Sequence, residues 1–122
     1  MIKNNRFDNM FKLSSKISIY IPTTKNVNEN MKREEIEILV DDTLKLFSNC
    51  FGGATNLLSI GTYTDNNNNL VKEKINIVYS YCNTDTLEKN IDTILDYTKK
   101  LVSELKQECI ALEINNEMYF ID

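Results

Sequence analysis

Phe51-Gly-Gly-Ala-Thr-Asn-Leu-Leu-Ser-Ile-Gly-Thr-Tyr-Thr-Asp-Asn-Asn-Asn-Asn-Leu-Val-Lys-Glu-Lys-Ile-Asn-Ile-Val-Tyr-Ser-Tyr-Cys82 is the stretch whose reading decides the fold. Asp65 to Asn69 is polar and turn-prone, so the β-rich segments Ala54–Thr64 and Leu70–Cys82 read as the two strands of a hairpin. In the second strand Ile75, Ile77, Tyr79 and Tyr81 share one parity. Glu73 has the same parity and is the discordant member of an apolar set. Helical patterns flank the hairpin on both sides, which puts two strands between two helices.

Upstream, Ile36, Leu39, Val40, Thr43, Leu44, Phe47 and Phe51 fall on one helical stripe, predicting a helix from about Met31 to Asn49. Glu34 and Glu35 occupy its first turns, where the macrodipole favours acids. Gly52-Gly53 ends it, since glycine takes the left-handed cap conformation at little cost. Before that helix, Ile17, Ile19 and Ile21 alternate along Lys16–Ile21 and predict a half-buried strand. Pro22, the only proline, ends that strand. Thr23, Thr24 and the Asn-rich stretch to Asn30 form a loop. Residues 1–15 read as an irregular arm carrying Phe7, Met10, Phe11 and Leu13.

Downstream, Leu87, Ile91, Ile94, Leu95, Thr98, Leu101, Val102 and Leu105 predict a helix over Thr86–Lys106. Asp85 with Glu88 reads as its capping box. Lys99, Lys100 and Lys106 gather at its C-terminal end, as the dipole prefers. Cys109–Ile114 is then a strand, Asn115-Asn116 a two-residue turn tolerant of positive φ, and Glu117–Ile121 a final strand. The order β-α-β-β-α-β, with one strand added at the end, is a ferredoxin-like α+β domain over residues 16–122. Its antiparallel sheet carries both helices on one face.

Composition narrows the chemistry. The 122 residues, 42% of them apolar, suit one core. No run approaches the roughly 20 apolar residues that cross a bilayer. The first residues lack the apolar core of a signal peptide, so a cytoplasmic protein is expected. Histidine is absent, which removes Ser–His–Asp triads, Cys–His nucleophiles and imidazole acid–base pairs. Cys50, Cys82 and Cys109 are dispersed; with no histidine they make no zinc site and read as buried or half-buried reduced thiols. No metal and no cofactor is called for. The net charge of −4 repels phosphate backbones and suits a basic protein partner.

The remaining candidates are weak one by one. A phosphate loop follows a strand and opens a helix, whereas Gly52-Gly53 closes one, so these glycines read as a cap. Tyr20, Tyr79 and Tyr81 offer rings on the sheet but lack the basic company of an RNA-binding face. Glu73 reads as the exposed start of its strand or as a functional carboxylate. Gln107-Glu108 joins the second helix to the fourth strand and is expected near Thr23-Thr24. There it either satisfies backbone groups or helps form a small-ligand site with Glu73. Glu108 and Glu113 could in principle serve as acid and base. The densest acidic set is Glu34, Glu35, Glu37, Asp41 and Asp42, either a solvated helix face or a contact surface.

Together, Ser18-Ile-Tyr-Ile-Pro-Thr-Thr24, Phe51-Gly-Gly-Ala-Thr55, Glu73 with Ile77-Val-Tyr-Ser80, Gln107-Glu108 and Ala111-Leu-Glu-Ile-Asn-Asn-Glu-Met-Tyr-Phe-Ile121 resemble a group of small uncharacterised proteins of phages, plasmids and other mobile elements. The resemblance implies a mobile-element setting and brings no catalytic residue with it. With small size, acidity and missing motifs, it leads to the expectation of a non-enzymatic binding protein. The concrete form is an inhibitor of a host defence system such as an anti-CRISPR, whose partner is a basic nucleic-acid-binding effector. Glu34, Glu35, Glu37, Asp41, Asp42, Tyr20, Tyr79 and Tyr81 are its expected contact residues. Direct nucleic-acid and membrane binding are not expected. A homodimer through the open sheet face is a further expectation. The alternative is a small-molecule or nucleotide site between sheet and loops, in a sponge or a weak enzyme.

Overall fold

The structure, a computed structural model, describes residues 2–26 and 29–122. Met1 of the expected arm and Val27-Asn28 of the expected loop lie outside the described residues. The elements are a 3-10 turn at Asn5–Phe7, β1 (Ser15–Ile21), β2 (Thr24–Lys25), β3 (Glu29–Asn30), α1 (Arg33–Phe51), β4 (Thr55–Thr64), β5 (Leu70–Cys82), α2 (Thr84–Leu105), β6 (Ile110–Ile114) and β7 (Glu117–Ile121). The main sheet has the order β4-β5-β1-β6-β7 and every neighbouring pair is antiparallel. Its first four strands have the ferredoxin-like arrangement, and β7 adds an outer strand.

The core forms where the β1 isoleucines meet both helices. Ile17, Ile19 and Ile21 are fully buried and cluster with Val40 and Phe47 of α1, Ile94 and Leu101 of α2, and Ile110 and Leu112 of β6. Each such side chain contributes about 1.5–3 kcal/mol on burial. The helices are also joined by a polar contact. The Thr43 hydroxyl donates to the Leu39 carbonyl at 2.7 Å and meets the Tyr97 hydroxyl at 2.7 Å. Burial pushes the Tyr97 phenol above its ordinary pKa.

The expected turns are present. Gly52 takes φ 90° and its N–H reaches the Ser48 carbonyl, closing α1. The Asp65 carboxylate accepts the Asn67 and Asn69 N–H groups and shapes the β4–β5 turn. Asn115 and Asn116, at φ 50° and 71°, turn β6 into β7.

Three readings need correction. The α2 cap is Asn83, whose side chain accepts the Thr86 N–H at 2.8 Å, so the helix starts ahead of the expected Asp85–Glu88 box. The loop after Pro22 folds back as the small β2–β3 hairpin. The largest correction concerns β5. Asn76, Val78, Ser80 and Cys82 face the helices, and the set Ile75, Ile77, Tyr79 and Tyr81 faces away. Pairing decides this: Ile17 and Ile19 lie opposite Ser80 and Val78, so the β1 isoleucines set which β5 parity joins the core. Glu73 is therefore no intruder in the core; it stands on the outer face.

Candidate functional site

One end of the sheet is unusually well tied by polar contacts. There β1 ends just before Pro22, β6 begins, and the β4–β5 hairpin extends beyond its pairing with β1. The loop between β1 and α1 is held from four directions. Asn26 N–H donates to the Leu105 carbonyl, and Met31 N–H to the Thr23 carbonyl. The Thr23 hydroxyl donates to the Lys74 carbonyl at 3.0 Å. The Gln107 side-chain amide donates to the Thr24 carbonyl at 2.8 Å. Lys25 Nζ donates to Glu35 Oε2 at 2.8 Å. That hydrogen bond, followed by the Lys32 N–H, holds the Glu35 carboxyl below its usual range.

Two hollows flank this loop and share Thr24 and Glu73. The larger, about 470 Å³, is bounded by Thr23, Asn30, Tyr63 and the Lys72–Lys74 segment. The smaller, about 230 Å³, lies among Tyr20, Pro22, Ile75, Gln107 and Phe120. The larger falls within the size range of small-ligand pockets, and the smaller lies below it. Glu73 is the acidic residue lining both. Across the hairpin it faces Gly61, which has no side chain to cover it. A Cβ at Gly61 would stand 2.7 Å from Ile75 Cδ1, so the Ile75 side chain leans over the bare backbone at 61. Gln107 thus satisfies a backbone carbonyl and lines a cleft at once. Glu73, read either as an exposed strand start or as a functional carboxylate, is half-buried in the cleft wall. Cys109, expected to be buried or half-buried, is exposed and borders the smaller hollow.

The other candidates separate. Tyr79 and Tyr81 pack edge to face with centroids 6.0 Å apart, and Lys16 Nζ sits 4.6 Å and 5.5 Å from their ring centroids. Tyr20 lies toward the cleft end, where its hydroxyl donates to Glu113 Oε1 at 3.2 Å. Burial first, and then the Glu113 charge, raises its pKa. Glu108 is exposed, and neither it nor Glu113 lines a cleft wall, so they do not form an acid–base pair there. On α1, Glu34, Asp41 and Asp42 are exposed, Glu37 pairs with Arg33, and Glu35 is committed to Lys25. Of that set, Glu37 and Asp41 border a hollow of about 290 Å³ beside Asn56 and Asn76. Sequence reasoning missed Tyr63 and Phe120, whose only signal was an aromatic placed on an outward parity.

No family model matches this sequence, and no curated protein matches it. Two solved structures share its fold. One is a phage SAM lyase in complex with S-methyl-5′-thioadenosine, with a TM-score of 0.60 and 19% identity. The other is a phage SAM lyase in its apo state, with a TM-score of 0.61 and 20% identity. Each match covers 92% of this chain and 94% of the other. At this identity the likeness establishes a common fold.

It also corrects the expectation about function. The chain was expected to be a non-enzymatic inhibitor of host defence, an anti-CRISPR in concrete form. Both matched structures are of an enzyme, so missing catalytic motifs are no argument against catalysis here. Among the described residues, no helix is long and apolar enough to cross a membrane.

Proposed function

We propose that this chain is a SAM-cleaving lyase whose substrate binds in the cleft around Glu73 and Gln107. The observation that carries the reading is a near full-length likeness to phage SAM lyase in a molecule with a carboxylate-lined cleft at one sheet end. S-adenosylmethionine is a sulfonium cation bearing an adenosyl group, a methyl group and a four-carbon amino-acid arm. S-methyl-5′-thioadenosine keeps the first two, so forming it breaks the bond from sulfur to the arm. The bonding pair goes to sulfur, which becomes a neutral thioether. In a lyase the arm carbon regains its bond from within the substrate, by loss of a neighbouring proton or by attack of the substrate's own carboxylate.

Such a reaction asks little of the protein. Its leaving group is already charged and needs no general acid, which suits a chain without histidine. What the protein supplies is orientation and a local field. Glu73 offers the negative charge that draws in a cation. Ile75, Pro22 and Phe120 offer apolar wall to the adenosyl group. Lys72 and Lys74, beside the larger hollow, offer ammonium groups to the carboxylate of the arm. The mobile-element setting implied by the resemblance, and action in a host cytoplasm, belong to the same reading.

The test is direct. Purified protein is incubated with S-adenosylmethionine, and S-methyl-5′-thioadenosine is followed by chromatography. The reading expects the product to accumulate with wild type and far more slowly with Glu73→Gln. A folded wild-type protein that forms none overturns it.

A further inference from the structure

Between α1 and the strands β4 and β5 lies the hollow of about 290 Å³ lined by Ile36, Glu37, Val40, Asp41, Asn56 and Asn76. It shares Ile36 with the larger hollow of the cleft, but none of its polar residues. Helical spacing builds one wall: Ile36 with Val40, and Glu37 with Asp41, are pairs four apart on neighbouring rows of α1. The strands build the other wall with two amides. Asn76 stands on the β5 face turned to the helices and is only 7% exposed.

The polar groups here are half used. Asn56 Nδ2 donates to Asn76 Oδ1 at 3.1 Å. Asn56 Oδ1 is buried with no partner, and among the described residues the Asn76 amide nitrogen donates to no acceptor. A buried polar group left unpaired weakens the fold until a partner reaches it, so this pair asks for an occupant. Negative charge stands beside the amides. Glu37 gives one oxygen to Arg33 at 3.1 Å, and among the described residues Asp41 makes no ion pair.

We propose that this hollow binds an ammonium group next to an amide, the chemistry of a peptide's amino-terminal residue with an apolar side chain. The ammonium faces Asp41 and Glu37, an amide N–H reaches Asn56 Oδ1, and the carbonyl accepts from Asn76. The side chain packs on Ile36 and Val40. A longer peptide has room to continue along β4, the outer strand of the sheet, which carries no charge over Thr55–Thr64. Its Leu58 and Ile60, on the same face as Asn56, are 63% and 70% exposed. The inference does not depend on the lyase reading.

The experiment titrates the full chain with L-leucinamide and follows the side-chain amide signals of Asn56 and Asn76 by NMR. Both signals are expected to move with one saturating curve. N-acetyl-L-leucinamide, which lacks the ammonium, and L-leucine, which sets a carboxylate against Asp41, should each bind at least about tenfold more weakly. Asp41→Asn should weaken leucinamide about tenfold at an unchanged melting temperature, since the side chain it alters is exposed. The tripeptide amide Leu-Ala-Ala-NH2 separates the two sources of this chemistry. Binding at least as tight as leucinamide supports a peptide terminus, and its exclusion where leucinamide binds overturns that assignment. Unmoved amide signals, equal binding of the acetylated probe, or full affinity in Asp41→Asn would each overturn the site itself.

Discussion

The side-chain amide of Gln107, just past the end of α2, donates to the backbone carbonyl of Thr24 at 2.8 Å across 83 residues of chain. This one contact pins the β1–α1 loop to the far side of the cleft and keeps Thr24 between its two hollows. Gln107→Glu removes the donor and sets a carboxylate against a carbonyl oxygen. Turnover of S-adenosylmethionine is expected to fall more than about tenfold, the loss of one positioning contact, while stability falls by about 1 kcal/mol. Steady-state kinetics and urea melts on the same preparation check both. Full activity in the variant would remove Gln107 from the site.

Glu73 poses the opposite case. Among the described residues no hydrogen bond or ion pair ties down its carboxylate. Glu73→Gln should therefore change stability by no more than about 0.5 kcal/mol, while product formation collapses. A variant that unfolds would assign Glu73 a structural role instead.

Gly61 leaves room for Ile75, whose Cδ1 would stand 2.7 Å from an added Cβ. Gly61→Ala should push that side chain toward the smaller hollow and raise KM with a lesser effect on kcat. Adding Ile75→Val, which shortens the offending side chain, should restore much of the loss. Rescue in the double variant separates a steric cause from general damage.

Ser80 anchors the far end of the sheet. Its buried hydroxyl donates to the Gly53 carbonyl at 2.6 Å. Ser80→Ala leaves that carbonyl without its donor and should cost about 1–3 kcal/mol. Kinetics at the cleft, at the other end of β5, should hold once the protein is folded. Calorimetry and the activity assay would show whether the two ends are separable.

Acid should loosen the loop before it unfolds the domain. The Glu35 carboxyl is held low by the hydrogen bond from Lys25, and the Lys25 ammonium is raised by the same bond. The pair is intact between these two limits. Its contribution is present above the ordinary carboxylate pKa and is lost as pH falls through the lowered Glu35 value. At the alkaline end it is lost as pH rises through the raised Lys25 value. Side-chain NMR of Lys25 should report release with a midpoint below that of an exposed glutamate. Coincidence with the exposed acids would show that the pair does not form in solution. Both groups meet solvent, so added salt should blunt the effect.

The comparison of reading and structure turns on β5. Its bounds, its turn and its place between two helices were legible in the residues, because turn chemistry and periodicity are local. Which face it shows to the helices was not legible. Both of its parities carry apolar residues, and alternation alone does not say which face is buried. The cleft was half legible: Gln107 and Thr24 were expected to be near each other, and Glu73 stood out as odd. Their convergence, and the parts of Tyr63 and Phe120 in it, depends on pairings between distant strands. Function misled for a related reason. Catalysis was sought in named motifs, whereas the enzymes that share this fold show that the chain's lack of them decides nothing.

By itself, then, the sequence determined the order of the main-sheet strands and the two helices, the Gly52 and Asn115-Asn116 turns, and the isoleucine stripe of β1. Each depends on backbone preferences and spacing within a few residues. Only the tertiary structure decided that Glu73 looks outward, that Gly61 leaves it uncovered, and that Gln107 closes the loop above it. Those relationships follow from the order β4-β5-β1-β6-β7. Strand register joins residues that local propensity treats as unrelated.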